Sequence, residues 1–265
     1  MKTNKFFNFN RFYHFLSYDL RMNGKRYLSF LAGGIVIFYL IMLISMSNAR
    51  SNFTHSDYIP LFLLGILGLG IYIGSAFPEL SNKIKTGNYL LLPASTLEKM
   101  TSQFLVYIVF GCILFLLIFW MDTFLAKWTV LQMESIQQRE ITFVDFQYFE
   151  LFKVMGISSF GLKYLTVMTI VSGGLFLFAA RLFFKRFALV KSAIALIAVI
   201  FSFVCYMVLF SHIFYPETEG FNIKLPSYEL TKDLYNVQLY FYILVFPLWM
   251  FFLPLAYYKL KEKQV

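Results

Sequence analysis

The sequence predicts an all-α, polytopic integral membrane protein: a single transmembrane domain over 1–265 with six transmembrane helices, preceded by an N-terminal amphipathic interfacial helix. Three observations predict it. Hydrophobic residues make up 59% of the chain and charged residues only 14%, at a mean hydropathy of +0.68, whereas soluble domains carry about 25% charged residues. The apolar residues fall in unbroken blocks of about 20, the length that crosses a hydrocarbon core. The basic residues collect beside those blocks on alternate connections, as orientation in a membrane requires.

The N-terminal stretch, 1–26, repeats Phe9, Phe12, Leu16 and Leu20 at helical spacing, with Arg11, Asp19 and Arg21 between them. This is the pattern of a helix lying at the headgroup level, and Asn23-Gly24 predicts a break before the first span. The spans are read at about 27–46, 58–77, 102–121, 164–180, 192–210 and 237–258. None contains Lys, Arg, Asp or Glu, as the cost of a charge at bilayer depth demands. The blocks are continuously apolar, unlike the alternating strands of a barrel. The first block starts after 26 residues and is too long for the core of a cleaved signal peptide.

With the N-terminus inside, the inner segments hold 16 of the 23 basic residues and 4 of the 14 acidic ones. Arg181, Lys185, Arg186 and Lys191 on the short connection after the fourth span carry the strongest orientation signal. An even number of spans returns the C-terminus, with Lys259, Lys261 and Lys263, to the same side. The net charge of +9 then points to lipid headgroups as partners and not to nucleic acid.

Between the second and third spans lies the most structured inner connection. Pro78 opens it, with a short polar helix following through Lys85. Gly87-Asn88 predicts a turn and Tyr89–Leu92 an extended run ahead of Pro93. Ser95-Thr96-Leu97-Glu98 has the spacing of a capping box, with Lys99 just inside the helix it starts. The second span is rich in glycine, at Gly65, Gly68, Gly70 and Gly74, and Gly173-Gly174 lies in the fourth; small residues let helices approach closely in lipid. Pro247 and Pro254 predict kinks in the sixth span. The long outer loop, 122–161, places Phe143, Phe146, Phe149 and Phe152 three apart, which predicts a helical layer against the membrane. The second outer loop, 211–236, is acidic and reads as an exposed cap.

The chain lacks the phosphate-binding glycine loop, the zinc-protease histidine pair and the nucleophile elbow. Cys112 and Cys205 sit in apolar blocks as small hydrophobes, and His14, His55 and His212 are isolated, so no metal site, catalytic residue or cofactor is expected in this chain. Any energy for moving a solute would come from another polypeptide, and the apolar spans suit a hydrophobic or amphipathic substrate.

The layout resembles the membrane (permease) subunits of ABC-2-type exporters, particularly the small six-span type of Bacteroidetes-like bacteria. The sharpest local likeness is Gly87-Asn88-Tyr89-Leu90-Leu91-Leu92-Pro93-Ala94-Ser95-Thr96-Leu97-Glu98-Lys99, in which an apolar run is followed by Pro, a small residue, Ser and Glu; Gln103 departs from the basic residue common there. The resemblance implies a bacterial plasma (inner) membrane location and a cytoplasmic ABC ATPase as partner, which would carry the ATP and Mg. It also implies a second permease subunit, identical or related. Residues 79–88 would be the coupling helix, with Glu79, Lys83, Lys85, Gly87 and Asn88 meeting the ATPase. Two other functions fit the same spans: a non-transporting scaffold or regulatory subunit, and a membrane-embedded lipid-modifying enzyme.

Overall fold

A computed structural model describes residues 7–49, 52–81, 83–137, 142–155, 160–184, 187–214, 229–231, 234–235 and 251–263. The chain divides into two compact units: residues 1–73 with 91–158, and residues 74–90 with 159–265.

The first unit is built on two very long helices. Helix α1 runs Phe9–Ser47 without interruption. Its 39 residues rise about 58 Å, nearly twice a ~30 Å hydrocarbon core, so the leading stretch extends the first span beyond the bilayer. The break expected at Asn23-Gly24 does not occur. The Asn23 amide donates to Asp19 Oδ1 one turn back at 2.9 Å, so the side chain that could have opened a turn supports the helix instead.

Helix α2 is His55–Gly74. A 3-10 turn, Pro78–Ser81, and helix α3, Lys83–Leu91, follow it. The expected turn at Gly87-Asn88 and the extended run from Tyr89 are both helical. Tyr89 is buried, while Ile84 and Leu91, seven apart and so on one face, are exposed. One buried face is enough to hold a short helix whose local signals favoured a turn.

Helix α4, Thr96–Phe104, a π-helical turn at Leu105–Phe110, and helix α5, Gly111–Gln137, form one continuous rod. The third span therefore runs well past Met121, into the stretch read as outer loop. The rest of that loop is not one helix. Thr142–Phe143 (β2) pairs in parallel with Asn52–Phe53 (β1), Tyr148–Val154 (α6) is helical, and Phe160 already opens the next long helix. Phe143 thus lies on a strand, Phe146 between elements, and Phe149 and Phe152 on α6.

Phe143 and Phe146, with Tyr148, pack against a buried cluster that includes Met42, Met46, Phe53, Tyr58, Phe62 and Phe119. Tyr58 donates to the Val144 carbonyl at 3.2 Å and Tyr148 to that of Leu116 at 2.6 Å. At the edge of this cap the Lys127 ammonium meets Asp145 at 2.5 Å, and its hydrogen bond holds the Asp145 carboxyl below the usual carboxylate range.

In the second unit, helices α7 (Phe160–Ala180) and α8 (Ala188–Phe214) pack together, and residues 251–262 form helix α9. A short antiparallel pair joins β3, Glu229–Thr231, to β4, Leu234–Tyr235. The second span ends three residues earlier than read, at Gly74, because Phe77 adopts φ 53° ahead of Pro78. A proline disfavours the right-handed helical conformation in the residue before it. The left-handed conformation is costly for a bulky residue, and complete burial against Phe178, with ring centroids 5.1 Å apart, holds it.

Five described helices are long and apolar enough to cross a membrane. Of the sixth predicted span, 237–250 lie outside the described residues, Pro247 among them, and the remainder, 251–258 with Pro254, belongs to α9.

Candidate functional site

The site grows from the capping box. Pro93 and Ala94 form a bend, leaving Ser95 extended at φ −68°, ψ 158°, the conformation an N-cap needs. Ser95 Oγ accepts from the Glu98 amide at 3.2 Å, and Glu98 Oε2 accepts from the Ser95 amide at 2.7 Å.

That box leaves the Glu98 carboxylate with unused acceptor capacity, and α1 takes it up. Glu98 Oε1 accepts the Asn8 amide at 2.7 Å and Arg11 Nη2 at 2.7 Å, while Arg11 Nε donates to both oxygens at 3.0 and 2.8 Å. Asn8 is itself the N-cap of α1, its side chain accepting from the Asn10 and Arg11 amides. One carboxylate thus closes two helix N-termini, where the peptide dipoles favour negative charge. The Glu98 side chain is fully buried; that of Arg11 is 36% exposed.

The same face of α4 continues inward. Lys99, Ser102 and Gln103 are buried. Gln103 Nε2 donates to Asp19 Oδ2 at 3.1 Å, and Asp19, also buried, accepts from Asn23 and from the Tyr27 hydroxyl at 3.1 Å. The Tyr27 ring stands edge-on to Tyr107 at 5.7 Å, and Tyr107 packs on Tyr72 at 4.9 Å. Tyr107 belongs to the π-helical turn, a distortion that proteins place at functional positions. A polar strip therefore runs from the helix caps to the start of the apolar spans.

Of the residues singled out from sequence, the structure brings Glu98 to α1, with its cap Ser95 and the buried Lys99 next to it on α4; Pro93 forms the exposed bend before them. Glu79 lies in the 3-10 turn, where its carbonyl accepts from Thr86 Oγ1 at 3.2 Å. Gly87 and Asn88 are exposed on α3, and Lys83 and Lys85 are on the same helix.

Gly65 is the glycine of closest approach: a Cβ there would stand 2.5 Å from the Phe115 ring. Gly68 and Gly74 leave ordinary contact distances to Phe38 and Leu189, a Cβ at Gly173 would meet open space, and Gly70 and Gly174 are half-buried. Arg181 Nε donates to the Ala76 carbonyl at 3.1 Å beyond the end of α2. Lys191 is exposed on α8, and Lys185 and Arg186 lie outside the described residues.

Sequence reading missed Asn8 and Gln103 as partners, took Arg11 and Asp19 only as charges between the apolar positions of an interfacial helix, and put Asp122 in a loop. Asp122 is buried within α5, and its Oδ2 has no hydrogen-bond partner among the described residues. Polar residues recurring every four positions, Asp19, Asn23 and Tyr27 on one helix and Lys99, Gln103 and Tyr107 on the other, were the available signal.

Taken together, five long apolar helices with surfaces rich in exposed Leu, Ile, Val and Phe, and polar groups gathered at a buried strip, define a multi-pass helical membrane protein. No protein-family model matches the chain, no curated protein matches it, and no solved structure matches it.

Proposed function

We propose that the chain is the membrane-spanning subunit of an ATP-driven exporter. It moves a hydrophobic or amphipathic substrate by alternating access, powered by a separate cytoplasmic ABC ATPase that carries the ATP and Mg. In this reading two such subunits pair in a bacterial inner membrane with both termini cytoplasmic, and residues 79–88 seat in the ATPase.

The observation that supports it best is the Glu98 clamp. A helix extending beyond the bilayer is tied by three donors, the Asn8 amide and Arg11 Nε and Nη2, to the carboxylate that caps the start of the rod forming the third span. A push delivered at the membrane surface next to Ser95 would then reach two spans together instead of dissipating in a loop. Such a lever can shift a conformational equilibrium only if the ATPase contacts it differently in its two states. The exposed Ile84 and Leu91 face of α3 is a surface of the kind a partner covers.

The test is purification in mild detergent from native membranes, followed by identification of bound subunits. An ABC ATPase is expected to co-purify, and Ile84→Glu to release it while membrane insertion stays normal. Glu79→Lys and Pro93→Gly are expected to impair ATP-coupled export with insertion intact. Recovery of the chain without any ATPase, or coupling untouched by all three changes, would remove the proposal.

A further inference from the structure

Within the first unit, α1, α2 and the start of α5 enclose an open apolar groove of about 660 Å³. Its wall on α1 runs from Tyr27 to Ile41, a rise of about 21 Å, longer than one leaflet's share of a ~30 Å core. Part of that wall is bare backbone, because a Cβ at Gly33 or Gly34 would meet nothing within 4 Å.

The hydroxyls that line it are turned to protein partners. Ser29 Oγ donates to the Lys25 carbonyl at 2.8 Å, Tyr27 to Asp19, and Tyr72 to the Val106 carbonyl at 3.4 Å. All three sit at one end, and cations continue α1 just beyond it. The Arg26 guanidinium lies 5.8 Å from the Phe30 ring centroid, and Lys25 and Arg21 are exposed.

A long apolar trough with positive charge at one mouth is complementary to an amphiphile with an anionic head. A groove about 21 Å long lets an extended acyl chain lie along α1 against the bare backbone of Gly33 and Gly34. We propose that this groove holds one anionic phospholipid, with an acyl chain along Gly33, Gly34 and Ile37 and its phosphate at Lys25 and Arg26. The inference does not depend on the export reading.

The full chain would be reconstituted in vesicles of equal phosphatidylglycerol and phosphatidylcholine, extracted in mild detergent, and its retained lipid counted by native mass spectrometry. One phosphatidylglycerol per chain is expected, favoured over phosphatidylcholine by about tenfold. Gly34→Phe, which fills the trough, is expected to abolish retention, whereas Gly34→Ala keeps it. Lys25→Gln with Arg26→Gln is expected to keep one lipid but bring the two headgroups close to parity.

A photoactivatable phosphatidylglycerol, used with the unaltered chain so that no variant need fold, should label residues 27–41 and 64–72. Retention unchanged by Gly34→Phe, label spread evenly over the exposed face of α8, or a Gly34→Cys crosslink to a second copy would each overturn the assignment.

Discussion

The two ends of the first unit are held by opposite means. At one end, Glu98 joins α1 to α4 through directional bonds to Asn8, Arg11 and Ser95, and the Asp19–Gln103 pair extends the polar contact. At the other, the same rod is held by rings: Phe119 stands among Phe62, Phe115, Phe146 and Tyr148 at centroid distances of 5.1–6.5 Å. A two-residue parallel ladder adds only a clasp. Hydrogen bonds fix register and orientation, because each is strong only when donor and acceptor are aligned at short range. Aromatic packing instead supplies bulk cohesion that several arrangements of neighbours can share.

The comparison can be broken from either side. The largest effect is expected from Phe119→Ala, which opens a cavity in the aromatic end and should cost about 4 kcal/mol, read as a lower midpoint in detergent thermal unfolding. Glu98→Ala comes next, at about 3 kcal/mol, because it strands the Ser95 and Asn8 amides and the Arg11 guanidinium together. Protection of the first-turn amides of α1 and α4 in hydrogen exchange should fall with it, while the aromatic end keeps its protection. If protection fell equally at both ends, the two would form one cooperative unit and the contrast would fail.

Arg11→Lys should sharpen the contrast at a smaller scale. An ammonium keeps the charge but cannot present the Nε and Nη2 fork. The loss should be about 1 kcal/mol, since the Arg11 side chain is 36% exposed and water screens the pair. Salt titration of the midpoint would separate the residual charge attraction from the lost fork.

The smallest effect is expected at Asp145. Its folded pKa is depressed by Lys127, so its contribution is present above the unfolded value and fades as pH falls through the folded one. Asp145→Asn should flatten that acid-side slope slightly and leave the midpoint at neutral pH almost unchanged, checked by thermal unfolding across an acid series.

The Ser95–Glu98 box could be read from four letters, because its donors and acceptors are three residues apart and helix geometry alone brings them together. Glu98's bonds to Asn8 and Arg11 could not, since 87 or more residues separate the partners. The long spans were legible for a similar local reason. Their ends were not, since Asn23-Gly24 and Gly87-Asn88 carry turn signals that helix continuity and the burial of neighbouring side chains override. The loop phenylalanines misled because their spacing is compatible with a helix, while the strand at Thr142–Phe143 depends on a partner at Asn52–Phe53 that no local pattern announces.

By itself, the sequence determined that this is a helical, multi-pass membrane chain, because a backbone in hydrocarbon must bond within its own segment and each apolar block carries that requirement locally. Long-range packing instead set that α1 is a single rod clamped at Glu98, that Asp122 is buried, that the Phe115 ring crowds Gly65, and that an apolar groove opens beside Gly33 and Gly34. These depend on which surfaces meet across distant parts of the chain, and packing and long-range hydrogen bonds set that outcome only once the helices are side by side.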